Sequence, residues 1–268
     1  MFMKFPFYGV NAFCRAADSG NPAGVCILND WLSTDDLQLM ANQISMPETA
    51  FLFPVNAGNW AIRWFSPIKE VDFCGHATLA AVHVLFEEGL VMPEECIRFS
   101  SNAGQISAKT HTNERYLVDF PAVKSSPSRP PPALIEGIGA YPDQVFKGTS
   151  YAMCVFSDEE IIQELQPDFR TLSNWSGADG IIVTSETARS DYDFISRFFA
   201  PRLGIDEDHA TGSAHCQLAP YWSNRLKKDS LIGLQLSPRE GEFYCDLKDD
   251  RVSLSGSVSV FLRGKYII

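Results

Sequence analysis

Residues able to move protons stand at particular places in this chain. Cys74-Gly75-His76 precedes an apolar run from Ala77 to Phe86 in which only Thr78 and His83 are polar. Thr211-Gly212-Ser213 opens a comparable stretch, with Asp208 before it and His215 inside it. Glu48 lies in Met46-Pro47-Glu48-Thr49-Ala50-Phe51, just ahead of an apolar strand. Histidine can donate to a substrate oxygen or hand on a proton. The first N–H groups of a buried helix, with the helix dipole, favour an anion. Gly75 and Gly212 would let backbone approach that anion closely. Two such helix starts facing one another would grip a small carboxylate from both sides. Plainer readings stand beside these. Glu48 also reads as a solvated strand-end carboxylate, His76 as a helix-start histidine bonded to backbone, Asp208 as a helix-start charge, and the glycines as tight strand-to-helix turns.

Other chemistries fit poorly. The position before Gly212 that corresponds to Cys74 is Thr211, so the two helix starts carry no pair of thiols. A threonine hydroxyl is no acid or base near pH 7. Cys216 lies five residues beyond Thr211, well inside the helix, so Cys74 reads as packing. His209 and His215 are six apart, and His76 and His83 seven. Neither spacing pairs two metal ligands as HExxH does, though distant positions could converge. Ser213 sits in Thr-Gly-Ser-Ala-His, not in a nucleophile elbow. Gly137-Ile138-Gly139 lacks the third glycine of a dinucleotide loop, and no Walker loop occurs. The expectation is no metal and no cofactor.

The elements that must place these residues occur in a doubled order. FPFYGVNAF, GVCIL, TAFLFP and NWAIRWF read as strands, and Ser33-Thr34-Asp35-Asp36 opens a helix between the second and third. In the second half, a strand over 151–156, a helix opened by a capping box at 157–160, and the strands GIIVT and DFISRFF repeat that order. Part of the echo is literal. Arg63-Trp64-Phe65-Ser66-Pro67 returns as Arg197-Phe198-Phe199-Ala200-Pro201 after 134 residues, and Gly75 returns as Gly212 after 137. A repeat this long indicates two similar halves, not a solenoid. Between them, 121–134 carries five prolines and three serines and reads as a stiff linker. The expected domains are therefore 1–120 and 135–268. A helix apolar on nearly every face must be surrounded. The expected fold is α+β: two pseudo-symmetric halves, each a mostly antiparallel sheet curled around a central helix.

The chain has 268 residues, 45% hydrophobic and 21% charged, with a net charge of −11. That composition fits a globular protein and argues against non-specific binding to nucleic acid or anionic membrane. Seven widely spaced cysteines without a CxxC pair suit a reducing compartment. The start lacks the apolar core of a signal peptide, and no apolar run is long enough for a membrane helix. The expected location is the cytoplasm.

Four blocks carry a resemblance: Asn21-Pro22-Ala23-Gly24-Val25, Pro47-Glu48-Thr49-Ala50-Phe51, Cys74-Gly75-His76-Ala77-Thr78-Leu79-Ala80, and the stretch from Glu207 to His215. In order and spacing they resemble the phenazine-biosynthesis (PhzF-like) isomerase family, related to diaminopimelate epimerase, over nearly the whole chain. The resemblance implies two pseudo-symmetric β-barrels, each on a central helix, with the site between them. It also implies a cofactor-independent isomerase of a small carboxylate metabolite and a homodimer. Glu48 matches the family's general acid/base, His76 and Asp208, the other two expected catalytic residues, match polar residues around the substrate that bind its polar groups and relay protons, and Gly75, Gly212 and Ser213 match substrate-binding positions. An epimerase inverting one carbon, or a non-catalytic anion-binding protein, remains an alternative. His209 departs from the pattern, standing where the family commonly has proline.

Overall fold

The computed structural model describes residues 3–102, 104–110 and 115–268. Met1 and Phe2 lie outside the described residues. In chain order the first elements are β1 (Lys4–Cys14), β2 (Asn21–Ile27), α1 (Thr34–Ile44), β3 (Glu48–Asn56), β4 (Asn59–Phe65), β5 (Glu70–Val71), α2 (Gly75–Glu87), β6 (Ile97–Ser101), β7 (Gly104–Thr110) and β8 (Tyr116–Pro121). Then follow β9 (Ser126–Ser128), α3 (Pro132–Ile138), β10 (Gln144–Lys147), β11 (Tyr151–Val155), α4 (Glu159–Glu164), α5 (Phe169–Asn174), β12 (Gly180–Glu186), β13 (Phe194–Phe199), α6 (Gly212–Leu226), β14 (Ser230–Gln235), β15 (Gly241–Lys248) and β16 (Arg251–Ile267). Among the described residues no helix is long and apolar enough to cross a membrane.

Two compact units emerge, 1–120 with 253–268, and 121–252. The first is a closed barrel of eight strands in the order β1-β2-β3-β4-β6-β7-β8-β16, with β16 pairing back onto β1. Most neighbours are antiparallel, but β2–β3 and β4–β6 are parallel. A parallel pair needs a crossover, and α1 and α2 are the helices in those connections. Ser33 caps α1 by accepting from the Asp36 N–H at 3.1 Å. Leu37, Met40 and Ala41 then bury one face of α1 against Phe51 and Phe65. Helix α2 is buried at every position from Gly75 to Val82 and again at Val84 and Leu85, and it packs on β1, β2 and β3. A wholly apolar helix has no solvent face, so it fills the barrel instead of lying on it.

The second unit orders its strands β15-β14-β13-β12-β11-β10-β9. Its parallel pairs, β11–β12 and β13–β14, enclose α4 with α5, and α6, in their crossovers. Asp158, not Ser157, caps α4, through the Glu160 N–H at 2.9 Å. Helix α6 buries Ala214, His215, Cys216, Leu218, Ala219 and Trp222, and the Trp222 indole N–H donates to Thr184 of β12 at 3.0 Å. Pro220 stands inside α6. Proline cannot donate to the carbonyl four residues back, and that carbonyl, of Cys216, accepts from the Val123 N–H at 2.8 Å.

This contact corrects the expected linker. Residues 121–134 belong to the second unit: Val123 docks on α6, β9 pairs with β10, and α3 starts at Pro132. The expected second half, 135–268, also ends differently. Residues 253–268 complete the first barrel, because β16 is the strand that closes it against β1.

Candidate active site

Glu48 is the first residue of β3 and pairs across the sheet with Ala23 of β2. Two residues before Ala23, Asn21 starts β2. Within this ladder the Thr49 side chain leaves little room at Gly24, where an added Cβ would stand 2.7 Å from its hydroxyl. The Asn21-to-Val25 and Pro47-to-Phe51 blocks are thus neighbouring strand starts. Cys74 is the N-cap of α2, in extended backbone (φ −145°, ψ 108°), and it makes no side-chain capping bond. That bend and the first helical turn bring residues 74 and 76 to the same side.

Four side chains therefore meet. His76 Nε2 lies 3.2 Å from Glu48 Oε2, with the side chains 6% and 13% exposed. His76 Nδ1 is 3.2 Å from Asn21 Nδ2. Cys74 Sγ lies 3.5 Å from Nδ1 and 3.8 Å from Nε2. Asn21 donates to Nδ1 of a neutral ring, and turning its amide over would offer Oδ1 to a protonated one, so it serves either state. Burial works against a charged imidazole here, but Cys74 and Glu48 together hold the His76 pKa well above its usual value. Burial, the larger effect on Cys74, pushes its thiol up despite His76. Cys74 is the larger support of the charged ring and Glu48 the second.

The cluster settles two readings. His76 bonds side chains rather than backbone, and Glu48 is not a solvated strand-end carboxylate. Cys74, read from the sequence as packing, is a polar member of the group. The spacing arguments overlooked it because they compared Cys74 only with a second thiol. Among the described residues, Glu48, Cys74 and His76 form the one set of three such groups whose donor atoms lie within 4.8 Å of one another.

In the second unit, Asp208, Gly212 and Ser213 stand at the start of α6. Asp208 accepts from the Thr211 hydroxyl and, at 3.0 Å, from the His209 N–H. Gln235 pins the same turn: its Nε2 donates to Asp208 O at 2.8 Å, and its Oε1 accepts from the Thr211 N–H at 2.8 Å. Asp208 thus holds the helix start through Thr211. Thr211, the N-cap, makes no side-chain capping bond to the helix. Ser213 Oγ is 2.9 Å from the Tyr151 hydroxyl. Burial raises the Tyr151 pKa, countered by the Ser213 hydrogen bond and reinforced by the Asp208 charge. Tyr151 carries no sequence signal of a role, and Asn21 stands in a signature block with no role given to it; only the folded strands bring them to Ser213 and His76. Two surface grooves, one lined by Pro127, Tyr141 and Phe146 and the other by Leu39, Gln43 and Tyr266, contain none of these side chains.

Comparison with known proteins gives the family and the fold. Residues 10–264 match the family described as phenazine biosynthesis-like protein, PhzC-PhzF. An uncharacterized isomerase of Pseudomonas aeruginosa is 41% identical over 266 residues, covering 98% of each chain. The crystal structure of a phenazine biosynthesis protein of the PhzF family from Enterococcus faecalis superposes with a TM-score of 0.93 at 36% identity, covering 99% of this chain and 100% of that one. A probable proline racemase from Agrobacterium radiobacter superposes with a TM-score of 0.66 at 11% identity, covering 97% and 92%, a likeness of fold alone. The α+β, diaminopimelate epimerase-like fold expected from the sequence is the fold found. The chain belongs to the phenazine biosynthesis-like (PhzC-PhzF) family and is an isomerase.

Proposed function

We propose that this isomerase moves a carbon-bound proton within a small carboxylate metabolite, with Glu48 as general acid and base. The observation that carries this reading is the Glu48–His76 contact of 3.2 Å, nearly buried at the start of α2. Glu48 takes a proton from an activated carbon. The His76 N–H donates to Oε2 and orients the carboxylate. Negative charge developing on the substrate is stabilised by backbone N–H groups at the Gly75 helix start, which no N-cap side chain occupies. Glu48 returns its proton to another carbon of the same molecule, so the cycle balances without a cofactor. Asp208, Gly212 and Ser213 are proposed as substrate-binding residues. The support is that the second helix start also lacks an N-cap side-chain bond, with the Ser213 and Tyr151 hydroxyls beside it.

The test is a panel of small carboxylates in deuterium oxide, followed by NMR. The wild-type chain should place deuterium on carbon in at least one compound. Glu48→Gln should slow that exchange by roughly 10²–10⁴-fold, the usual worth of a general base. Exchange by Glu48→Gln at the wild-type rate would refute the assignment. Deuterium at a new carbon marks an isomerisation. Deuterium at one inverted stereocentre marks an epimerisation instead.

A further inference from the structure

We propose that Asn21 is a positioning residue of this isomerase: its side-chain amide holds Nδ1 of His76 and so keeps the Nε2–H on Glu48 whether the ring is neutral or charged. The ring is held on three sides. Asn21 Nδ2 stands 3.2 Å from Nδ1, and Glu48 Oε2 stands 3.2 Å from Nε2. Cys74 Sγ lies beside the ring, 3.5 Å from Nδ1 and 3.8 Å from Nε2. Turning the ring over would put carbon at both nitrogen positions and break both polar contacts, in a place where water cannot replace them. Asn21 is itself placed by backbone. It pairs with Ala12 of β1 at the very start of β2. Gly20, just before it, has φ +78°, and a Cβ there would stand 2.5 Å from the Ala12 carbonyl oxygen. Glycine alone makes that turn readily, so a strand ladder delivers the amide to His76.

An amide answers both states of the ring. It donates to Nδ1 of a neutral imidazole and, turned over, accepts from Nδ1–H of a charged one. In each state the bond from Nε2–H to Glu48 is the same. His76 therefore gains and loses its proton at Nδ1. Among the described residues, the titratable groups facing the ring are Glu48 on β3 and Cys74 at the start of α2. The functional consequence rests on the acid–base role proposed for Glu48: with Oε2 held by His76, Oε1 is the oxygen that takes and returns the carbon-bound proton.

Histidine-labelled protein is titrated by long-range proton–nitrogen NMR, and carbon–deuterium exchange is followed on the carboxylate panel. Above its folded pKa, the wild-type His76 ring should carry its one proton on Nε2. Asn21→Leu should lower the His76 titration by about one pH unit, a tenfold weaker hold on the proton, because a hydrogen bond to a charged ring is worth more than one to a neutral ring. It should also slow exchange by roughly 10–100-fold, the cost of a misplaced acid–base group. Asn21→Asp, which offers an acceptor at the same place, should move the titration up instead. A packing role would not send the two variants in opposite directions. A neutral wild-type ring protonated on Nδ1, a His76 titration unmoved in Asn21→Leu, or exchange by that variant at the wild-type rate would overturn the proposal. If Asn21→Leu does not fold, the wild-type tautomer and the Asn21→Asp titration decide it. Titrations as expected beside full exchange by Glu48→Gln would sink the acid–base role of Glu48 and leave Asn21 as the holder of His76.

Discussion

At the scale of single residues, the two histidines buried among the described residues, His76 and His215, respond to protons in opposite directions. His76 is held well above the ordinary histidine value: burial opposes the charge, and Cys74 and Glu48 outweigh it. Its folded state binds a proton more tightly than the unfolded chain does. The resulting stabilisation is fully present below about pH 6.5, the unfolded value, and is lost as pH rises through the folded value. An NMR titration should therefore find the His76 ring protonated well above pH 6.5, and Glu48→Gln should lower its pKa. An unchanged value in that variant would remove the carboxylate as the cause. His215 behaves the other way. It is fully buried, its Nδ1–H donates to Thr211 O at 2.9 Å, and its ring stacks on Phe243 at 3.5 Å. Burial pushes its pKa down to about 3. Below about pH 6.5 the unfolded chain takes up a proton that the folded chain refuses, so stability falls as pH drops toward 3. One such proton is worth about 1.4 kcal/mol per pH unit. Urea unfolding at pH 5 and pH 7 should show that dependence, and His215→Gln should flatten it by about that slope. An equal slope in both proteins would mean that His215 does not titrate on unfolding.

At the scale of elements, the literal repeat found in the sequence is a pair of clamps. In β4, Arg63 holds Glu70 through two hydrogen bonds of 2.8 and 2.6 Å. In β13, Arg197 holds Glu207 through two of 2.7 and 2.9 Å. Each guanidinium stands 5.0 Å over a phenylalanine two residues on, Phe65 or Phe199. Each clamp ties a strand to the segment that leads toward the central helix, β5 for Arg63 and the Glu207 turn for Arg197. Arg197 also donates to the carbonyls of Ile162 and Leu165 at 3.0 and 2.9 Å, fixing the end of α4. Its pair is the less exposed, at 12% and 14% against 16% and 27% for Arg63 and Glu70. Removing one partner of a buried pair strands the other, at a cost of about 3–5 kcal/mol. Arg197→Met should lower unfolding free energy by that order in urea, and more than Arg63→Met does. A loss under about 1 kcal/mol would put the pair in the class of surface salt bridges.

At the scale of the whole molecule, the chain's last strand belongs to its first unit. β16 pairs with β1 from Lys4↔Ile267 to Cys14↔Ser257, closing an eight-stranded barrel. Without it, β1 would present a long open edge, and α2 would lose part of its enclosure. Deleting residues 253–268 should abolish cooperative unfolding of the first unit and expose apolar surface. Near-UV circular dichroism and dye binding would report both. A truncated chain that melts at the wild-type midpoint would show that closure by β16 is dispensable.

The sequence determined the doubled architecture, because buried strands and an all-apolar helix leave patterns along the chain, and those patterns recur in order with the literal repeat of 63–67 at 197–201. It also marked Glu48, His76, Asp208 and the two glycine helix starts, since those types at strand and helix starts carry a chemical signal and a family likeness. It misread residues 121–134 and 253–268. Proline-rich composition looks the same in a free linker as in a segment docked by one backbone bond to Cys216, and a strand's partner is fixed by barrel closure, not by local pattern. Only the tertiary structure brought Asn21 and Cys74 onto His76, and Tyr151 onto Ser213. Contacts between residues 21 and 76, or 151 and 213, leave no trace in spacing. They exist because parallel strand pairing sets the start of β2 beside that of β3, and because α2 begins where those strands do.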